Sequence, residues 1–369
     1  MALTVVFAPD SFKGSLTSVE VARALADGWA RGRPGDRLLL APLADGGEGT
    51  LVAIEAVGGW EARTTRARDP IGRPIEARWL RSTDGQRAFV ELAAASGLSR
   101  LAASERDPLG ATTAGTGEVL LAAVDSGVRR VTLGIGGSAT NDGGAGILEA
   151  LGARFNAATG EADLAGLDPR LADVDLRIAC DVTNPLLGER GAAATYGPQK
   201  GADPGQVVEL DRRLRRYADA LEAAAGHSER ESPGAGAAGG TGFGLLCLRD
   251  RFRSLELVPG VDLVMDETDL AGRLAGADLV VTGEGRIDAQ TAFGKTALGV
   301  ARRAAEAGVP CIAVGGGVMP EGIDALAPLG VVVVPVAERP GSVEEAMAAG
   351  GAPVERCSER IARLVSLVG

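Results

Sequence analysis

Short apolar runs rich in β-branched residues recur along the chain, and most are followed by a glycine-rich turn and an alanine-rich segment of helical period. Residues 3–8 predict a first strand and residues 17–29 a helix capped by Thr17 or Ser18. Further strands are predicted at 38–42, 279–282, 311–315 and 331–336, and further helices at about 50–57, 297–307, 322–327, 343–349 and 354–368. Because these runs are almost continuously apolar, they are typical of strands buried on both faces. We therefore predict an α/β fold with a parallel sheet between helices.

The middle of the chain follows another pattern. Residues 62–66, 75–81 and 87–93 predict antiparallel hairpins. Later segments predict strands at 131–135 and 176–181 and helices at about 143–151 and 204–225. Within the low-complexity stretch 233–244, the glycine pattern at 234–239 predicts a loop. We therefore predict one α/β domain from residues 1–60 and 259–369 and an inserted α+β domain from residues 61–258. The active site is expected in the cleft between these domains.

The composition is that of an ordinary globular protein, since 46% of the 369 residues are hydrophobic and 24% are charged. The formal charge of −11 argues against binding to nucleic acid or to an anionic membrane, which require a basic surface. The four cysteines are far apart, as in proteins of a reducing compartment. The chain shows neither a signal-peptide pattern nor an apolar run of about 18 residues, so we predict a cytoplasmic protein.

Two residue types are scarce. The single histidine, His227, lies in a hydrophilic stretch typical of a helix end, so a histidine-based mechanism is not favoured. Lysine occurs three times against 35 arginines, and Lys13, Lys200 and Lys295 all lie beside glycine. Lysine is a compact point charge that contacts phosphates where a forked guanidinium does not fit. We interpret the three lysines as candidate anion contacts, the alternative being exposed surface positions.

Three loops follow predicted strands of the parallel sheet and combine carboxylates with glycines. The first two contain Asp10 and Asp45, and the third contains both Glu284 and Asp288. Ligands of open parallel sheets bind beyond the carboxyl ends of the strands, where glycine lets backbone N–H groups approach an anion. Carboxylates repel an anion unless a divalent cation lies between them, so these loops indicate a Mg²⁺–nucleotide. The alternative is that each aspartate caps a helix or a turn.

The inserted region has two comparable loops. One spans residues 134–144 and contains Ser138 and Asn141, and the other contains Asp181 and Asn184. Asparagine occurs only three times in the chain, and two of the three are in these loops. Such a density of polar groups exceeds what a capping turn requires, so both loops are candidate ligand contacts.

Six motifs of the chain belong together. They are Ala-Pro-Asp10-Ser-Phe-Lys13-Gly-Ser, Ala-Asp45-Gly-Gly-Glu-Gly-Thr, Gly-Gly-Ser138-Ala-Thr-Asn141-Asp-Gly-Gly, Cys-Asp181-Val-Thr-Asn184-Pro-Leu, Gly-Pro-Gln-Lys200-Gly-Ala and Thr-Gly-Glu284-Gly-Arg-Ile-Asp288-x-Gln-Thr. Taken together they resemble the motifs of the bacterial type-1 glycerate kinases, in the same order and at compatible spacings from residue 3 to about 317, so the resemblance covers nearly the whole chain. The resemblance implies a Rossmann-like three-layer domain with a second α/β domain inserted. It also implies ATP- and Mg²⁺-dependent phosphorylation of D-glycerate, usually at the 2-hydroxyl, so 2-phosphoglycerate is expected rather than 3-phosphoglycerate.

Phosphoryl transfer requires positioning and neutralisation of charge, and candidate roles follow from that. One aspartate accepts the proton of the substrate hydroxyl, and the lysines neutralise phosphate or carboxylate oxygens. The candidate catalytic residues are Asp10, Lys13, Asp181, Lys200, Asp288 and Lys295, and the candidate Mg²⁺ ligands are Asp45 and Glu284. The candidate ATP-binding residues are Gly46, Gly47, Gly49, Ser138, Asn141, Gly283 and Gly285, and the candidate glycerate-binding residues are Ser11, Asn184, Arg286 and Gln290.

Two other functions stay open. Gly134-x-Gly136-x-x-Ala139 is close to a dinucleotide fingerprint, although it lacks the third glycine, so an NAD-dependent oxidoreductase acting on a small hydroxy acid is the first alternative. Two domains around a cleft also describe a non-catalytic nucleotide- or sugar-binding protein. The expected partners are the small molecules ATP and D-glycerate, and the sequence is compatible with a monomer or a homodimer.

Overall fold

Thirteen strands lie within the described residues, which are 1–156, 159–293, 296–339 and 341–368 of a computed structural model. They are β1 (Thr4–Pro9), β2 (Arg37–Leu40), β3 (Trp60–Arg68), β4 (Pro74–Ser82), β5 (Arg87–Glu91), β6 (Arg130–Gly134), β7 (Arg154–Asn156), β8 (Glu161–Asp163), β9 (Asp175–Ala179), β10 (Ser254–Val258), β11 (Leu279–Ile287), β12 (Cys311–Val318) and β13 (Val332–Pro335).

The α-helices of the same residues occur between these strands and at the end of the chain. They are α1 (Ser18–Gly32), α2 (Thr50–Ala56), α3 (Ala93–Ser96), α4 (Ala114–Asp125), α5 (Ala145–Ala150), α6 (Ala192–Tyr196), α7 (Pro204–Ala225), α8 (Ala237–Leu246), α9 (Gly260–Glu267), α10 (Leu270–Leu274), α11 (Thr296–Ala307), α12 (Pro320–Leu326), α13 (Val343–Ala348) and α14 (Ala352–Val368). No helix in the described part of the chain is both long enough and apolar enough to cross a lipid bilayer.

The chain divides into two compact units. The first comprises Met1–Asp45, Val52–Gly58 and Val264–Gly369, and the second comprises Gly46–Leu51 and Gly59–Leu263. The mixed α/β architecture with parallel sheets agrees with the prediction from the sequence. The predicted limits of two folding domains stay a prediction.

The first unit is organised around a five-stranded sheet in the order β13-β12-β11-β1-β2, in which every neighbouring pair is parallel. Strand β1 lies between β11 and β2, with Val6 opposite Val280 on one side and Leu39 on the other. The side chains of β1 are almost completely buried, as expected of a central strand covered on both faces. This order brings the carboxyl ends of β11, β1 and β2 to the same edge of the sheet.

Helices α1 and α14 pack closely in this unit. Helix α1 begins with a capping box, in which the Thr17 hydroxyl accepts the N–H of Glu20 and the Glu20 carboxylate accepts the N–H of Thr17. The absence of a side chain at Gly28 permits the approach of α14, since a Cβ there would overlap the carbonyl oxygen of Glu355. The helices therefore meet through backbone as well as through side chains such as Val354 and Ile361.

The second unit contains a six-stranded mixed sheet in the order β10-β9-β6-β5-β4-β3. Strands β3, β4 and β5 are antiparallel neighbours, which agrees with the predicted hairpins, whereas β5, β6, β9 and β10 are parallel. The sequence pattern missed β10 and the short β7–β8 hairpin. Strands β7 and β8 have no buried position, which explains why they were not predicted. Strand β10 does alternate polar and apolar residues, with Leu255 and Leu257 packed against the core, and this strand signal was overlooked.

The loop predicted at 234–239 is confirmed in part. Residues 234–236 form turns, and Ala238, Gly239 and Gly240, although they fall within α8, have positive φ values of 52°, 69° and 89°, so that the helix is interrupted there. A Cβ at Gly239 would overlap the carbonyl oxygen of Thr140. The glycines therefore serve close packing against the loop that follows β6, a tertiary contact that composition does not reveal.

Candidate active site

Four predicted residues of the first unit come together at the carboxyl edge of its sheet. Asp10 follows β1, Asp45 lies beyond β2, and Glu284 is within β11. The Lys13 ammonium donates a hydrogen bond to Asp45 Oδ2 at 3.3 Å. The pKa of Lys13 is raised, mainly by the negative charge of Asp45 and further by those of Asp10 and Glu284. One ammonium therefore lies in the field of three carboxylates.

The Asp10 carboxylate is held in place from two sides. It accepts the backbone N–H of Ser11 at 2.6 Å through Oδ1 and the hydroxyl of Thr296 at 2.6 Å through Oδ2. Its own backbone N–H donates to the carbonyl of Gly283 on the neighbouring strand. Burial raises the pKa of Asp10, an effect that the two hydrogen bonds only partly oppose. A carboxylate with a raised pKa is a stronger proton acceptor than an exposed one.

Glu284 is also buried, and its Oε1 accepts the hydroxyl of Thr291 at 2.8 Å. The glycines on either side of it fit into narrow spaces. A Cβ on Gly283 would lie 2.5 Å from Cγ2 of Val314, and one on Gly285 would lie 3.2 Å from Cα of Phe12. Close packing of β11 therefore accounts for these two predicted ATP contacts without a ligand.

The remaining predicted residues beyond β11 form a second, more exposed group. Arg286 Nε pairs with Asp288 Oδ2 at 3.1 Å, and Asp288 Oδ1 accepts the backbone N–H of Gln290 at 2.9 Å. The side chains of Arg286 and Gln290 are exposed. Lys295 lies outside the described residues.

Two predicted glycine loops meet in the second unit. A Cβ on Gly134 would overlap the carbonyl oxygen of Gly46, and one on Gly136 would lie 2.6 Å from Cα of Gly47. These glycines are therefore needed where two backbone segments touch. Gly49 has φ +91° and open space around it, so it is required by the turn itself.

Lys200 is buried in the second unit, with 2% of its surface exposed. Its ammonium donates to the carbonyl oxygen of Thr140 at 2.5 Å and lies 3.5 Å from the Ser138 hydroxyl, which is itself 2.9 Å from the Thr140 hydroxyl. Burial lowers the pKa of Lys200 to about 7. The structure thus brings Lys200 to the loop of Ser138 and Asn141, about sixty positions away in the sequence.

The two predicted asparagines have different surroundings. Asn141 is buried, and both its amide oxygen and its amide nitrogen lack a hydrogen-bond partner among the described residues. Asn184 has partners on both sides, since its Nδ2 donates to the carbonyl of Arg190 at 2.9 Å and its Oδ1 accepts the Tyr196 hydroxyl at 2.8 Å. The nearby Asp181 is exposed, and its Oδ1 accepts the backbone N–H of Gly260 at 2.8 Å.

Sequence reasoning missed Glu91, the last residue of β5. Its buried carboxylate accepts hydrogen bonds from the backbone N–H groups of Thr50 and Leu51, the latter at 3.1 Å. It therefore fixes the backbone directly after the glycine-rich residues 46–49. Burial and the nearby charge of Glu48 raise the pKa of Glu91 to about 7. An acidic residue directly after the apolar run Ala88–Val90 was the available signal.

The carboxylates do not gather into a complete metal cage. Across the described ranges, no group of three or more histidine, cysteine, aspartate or glutamate side chains is close enough to hold a metal ion. Magnesium bound to a nucleotide usually keeps several waters and takes only one or two protein carboxylates. Asp45, whose side chain is 51% exposed, and Glu284 provide such a pair near Lys13.

Comparisons with known proteins identify the family. The glycerate kinase family profile matches residues 5–366. The chain is 42% identical to a glycerate kinase of Halalkalibacterium halodurans, with 97% of each chain covered, and 40% identical to the glycerate 2-kinase of Escherichia coli K12, with 99% of this chain and 98% of that one covered. A crystal structure of a candidate glycerate kinase 2 from Salmonella typhimurium LT2 matches with a TM-score of 0.86 and 39% identity, covering 100% of this chain and 99% of that one.

These matches extend over the full set of motifs quoted above and confirm the resemblance seen in the sequence. They replace the oxidoreductase and binding-protein alternatives, and they imply ATP as co-substrate. By sequence and by fold, the chain belongs to the glycerate kinase family and is a phosphotransferase that acts on an alcohol group.

Proposed function

We propose that this protein transfers the γ-phosphoryl group of ATP to the 2-hydroxyl of D-glycerate in a Mg²⁺-dependent reaction, with 2-phosphoglycerate as the product. The relative from Escherichia coli that is named glycerate 2-kinase supports the choice of hydroxyl. The main support for phosphoryl transfer is that Lys13 lies close to three carboxylates at one edge of the first sheet. These are Asp10, Asp45 and Glu284. This group combines the exposed ammonium of Lys13 with one exposed carboxylate, Asp45, and one buried carboxylate, Glu284.

Lys13 is the candidate contact for the phosphoryl group being transferred. Its side chain is exposed and, among the described residues, pairs with Asp45 alone, at 3.3 Å, so the ammonium can turn toward an incoming phosphate. Asp45 and Glu284 would then hold Mg²⁺, directly or through water, and the ion when bound would neutralise phosphate charge. The donor set fits this ion because carboxylate oxygens are its preferred protein ligands.

Asp10 is the candidate acceptor of the hydroxyl proton. Its raised pKa makes it more basic than an exposed aspartate, and two hydrogen bonds fix its orientation. Of the two alternatives, Asp288 is paired with Arg286, and Asp181 is exposed and accepts the N–H of Gly260. Because phosphoryl transfer proceeds through a loose transition state, an oriented carboxylate is sufficient for this step.

The second unit supplies further candidate contacts for anionic oxygens, namely Ser138, Asn141 and Lys200. Asn184 already has partners for its amide, so its candidate role is to orient the loop that carries Asp181. The candidate contacts with glycerate in the first unit are Ser11, Arg286 and Gln290. Lys295, which lies outside the described residues, stays a candidate contact for a phosphate oxygen of ATP.

The direct test is incubation with D-glycerate, ATP and Mg²⁺, followed by phosphorus NMR of the product. We expect an ATP-dependent phosphoglycerate signal with the chemical shift of the 2-isomer and no product when Mg²⁺ is chelated. Asp10→Asn should lower turnover by about 100-fold or more, within the usual contribution of a positioned acid or base. A 3-phosphoglycerate signal would contradict the assigned hydroxyl, and wild-type turnover of Asp10→Asn would contradict the assigned proton acceptor.

A further inference from the structure

The ammonium of Lys200 is a buried cation without an anionic partner in the described residues. Its hydrogen bonds go to neutral oxygens, the carbonyl of Thr140 and the hydroxyl of Ser138. Removing an ammonium from water costs several kcal/mol unless an opposite charge compensates it. A lysine in this position is therefore favourable mainly when an anion reaches it.

The side chain of Asn141 is the second independent observation. It is buried, and within the part of the chain that the structure describes neither its Nδ2 nor its Oδ1 has a hydrogen-bond partner. An unsatisfied buried amide costs about 1–3 kcal/mol, so native proteins seldom keep one without a use. The amide directly follows Thr140, the residue whose carbonyl receives the ammonium.

We infer that Ser138, Asn141 and Lys200 form a pocket that binds one anionic oxygen group of a substrate, and that Lys200 takes up a proton from solvent as this group binds. The group is either a carboxylate or a phosphate, since both present oxygen acceptors to an ammonium and an amide. The inference rests on the proposed function, because the two probes chosen below are its substrates.

The charged groups around Lys200 do not already neutralise it. Asp142 acts on Lys200 through space, but its carboxylate is occupied by the N–H and hydroxyl of Thr113 and by the N–H of Gly144. Arg106, which donates to the carbonyl of Gln199 at 3.3 Å, is itself positive and cannot neutralise an ammonium. The segment at the start of α8, which contacts Ser138 through Ala238, contributes no ionisable side chain.

Proton uptake follows from the burial of the amine. With a pKa of about 7, Lys200 is about half neutral at neutral pH in the free protein. A bound anion favours the charged form, so the amine binds a proton on ligand binding. Uptake should be about half a proton near pH 7, close to one near pH 8.5 and close to zero near pH 5.5.

The test is isothermal titration calorimetry of the full chain in buffers of different ionisation enthalpy. D-glycerate and the imido analogue of ATP are titrated in separate experiments at about pH 5.5, 7 and 8.5. Uptake with D-glycerate assigns the pocket to a carboxylate, and uptake with the ATP analogue assigns it to a phosphate. If neither probe shows uptake that changes with pH in this direction, the inference is wrong.

Variants separate this pocket from other titrating groups. Lys200→Met should fold, since a neutral side chain replaces a buried charge. It should abolish the pH-dependent uptake and weaken binding of the responding probe by about 30-fold or more. Asn141→Ala should weaken the same probe by about 10-fold, whereas Asn156→Ala, at an exposed asparagine of β7, should not. Unchanged affinity in Lys200→Met would overturn the inference.

Failure of the inference and failure of the proposed function are distinguishable. If the protein forms 2-phosphoglycerate but binds both probes without proton uptake, the proposed function stands and the inference about the pocket is wrong. If the protein shows Lys200-dependent proton uptake but forms no phosphoglycerate, the inference about the pocket stands and the proposed function is wrong.

Discussion

The buried carboxyl of Glu91 should make the stability of this protein depend on pH in a specific direction. Its pKa rises from an ordinary 4.5 to about 7 because the carboxyl is buried, an effect that the hydrogen bonds from the backbone N–H groups of Leu51 and Thr50 only partly oppose. Between these two pH values the native chain holds a proton that the unfolded chain has released. The free energy of unfolding therefore contains a contribution from Glu91 that is complete below about pH 4.5 and is lost as pH rises through about 7.

The size of this contribution follows from the same pKa. At about 1.4 kcal/mol for each pKa unit, the difference between the ordinary pKa of 4.5 and the native pKa of about 7 corresponds to ~3 kcal/mol. Glu91→Gln keeps the shape and an oxygen acceptor but cannot release a proton. Relative to wild type, the variant should gain ~3 kcal/mol of stability between about pH 4.5 and about pH 8.

Urea denaturation at a series of pH values, followed by the fluorescence of the second unit's Trp60 and Trp79, measures this difference. Both indoles are buried, so their emission reports loss of packing. Glu256→Gln, at an exposed glutamate of β10, is the matched control. Parallel pH curves for wild type and Glu91→Gln would refute the reasoning, because they would mean that Glu91 holds the same number of protons in both states.

Three further predictions concern the first unit. Lys13→Arg should fold normally and lower turnover by about 100-fold, measured by steady-state kinetics, because the wider head group displaces a donor from the phosphate. Thr296→Val removes the hydroxyl that lowers the pKa of Asp10, so the acidic limb of the pH–rate profile should move to higher pH. Gly28→Ala should reduce the free energy of unfolding by about 2 kcal/mol or more, measured by urea denaturation, because its Cβ would overlap the carbonyl of Glu355.

The threonine and glycine predictions each have a matched control. Thr83→Val, at an exposed threonine of the β4–β5 turn, should leave the pH–rate profile unchanged. Gly35→Ala should change stability by less than about 0.5 kcal/mol, since no described residue other than its two chain neighbours has an atom within 4 Å of the added Cβ. Wild-type turnover in Lys13→Arg, an unmoved acidic limb in Thr296→Val, or equal stability of the two glycine variants would each contradict the corresponding argument.

The parallel sheet of the first unit was predictable because its signals are local. Apolar runs such as Val5–Ala8 identify buried strands, and the Thr17 cap with Glu20 three residues later identifies the start of α1. The grouping of Asp10, Asp45 and Glu284 was also predictable, since carboxyl ends of parallel strands meet at one edge. The order of the strands, which makes β1 the neighbour of both β2 and β11, came only from the structure.

The sequence by itself determined which residues carry charge, which positions lack a side chain and which segments form strands and helices. Only the tertiary structure decided what each of them faces. Gly134 and Gly136 are close to a nucleotide-binding pattern, yet they face the backbone of Gly46 and Gly47. The absence of a Cβ allows close approach of another backbone segment as well as of a phosphate, so the pattern alone does not distinguish the two. Lys200 looked like any lysine beside a glycine until burial lowered its pKa, since the groups that surround it are about sixty positions away in the chain.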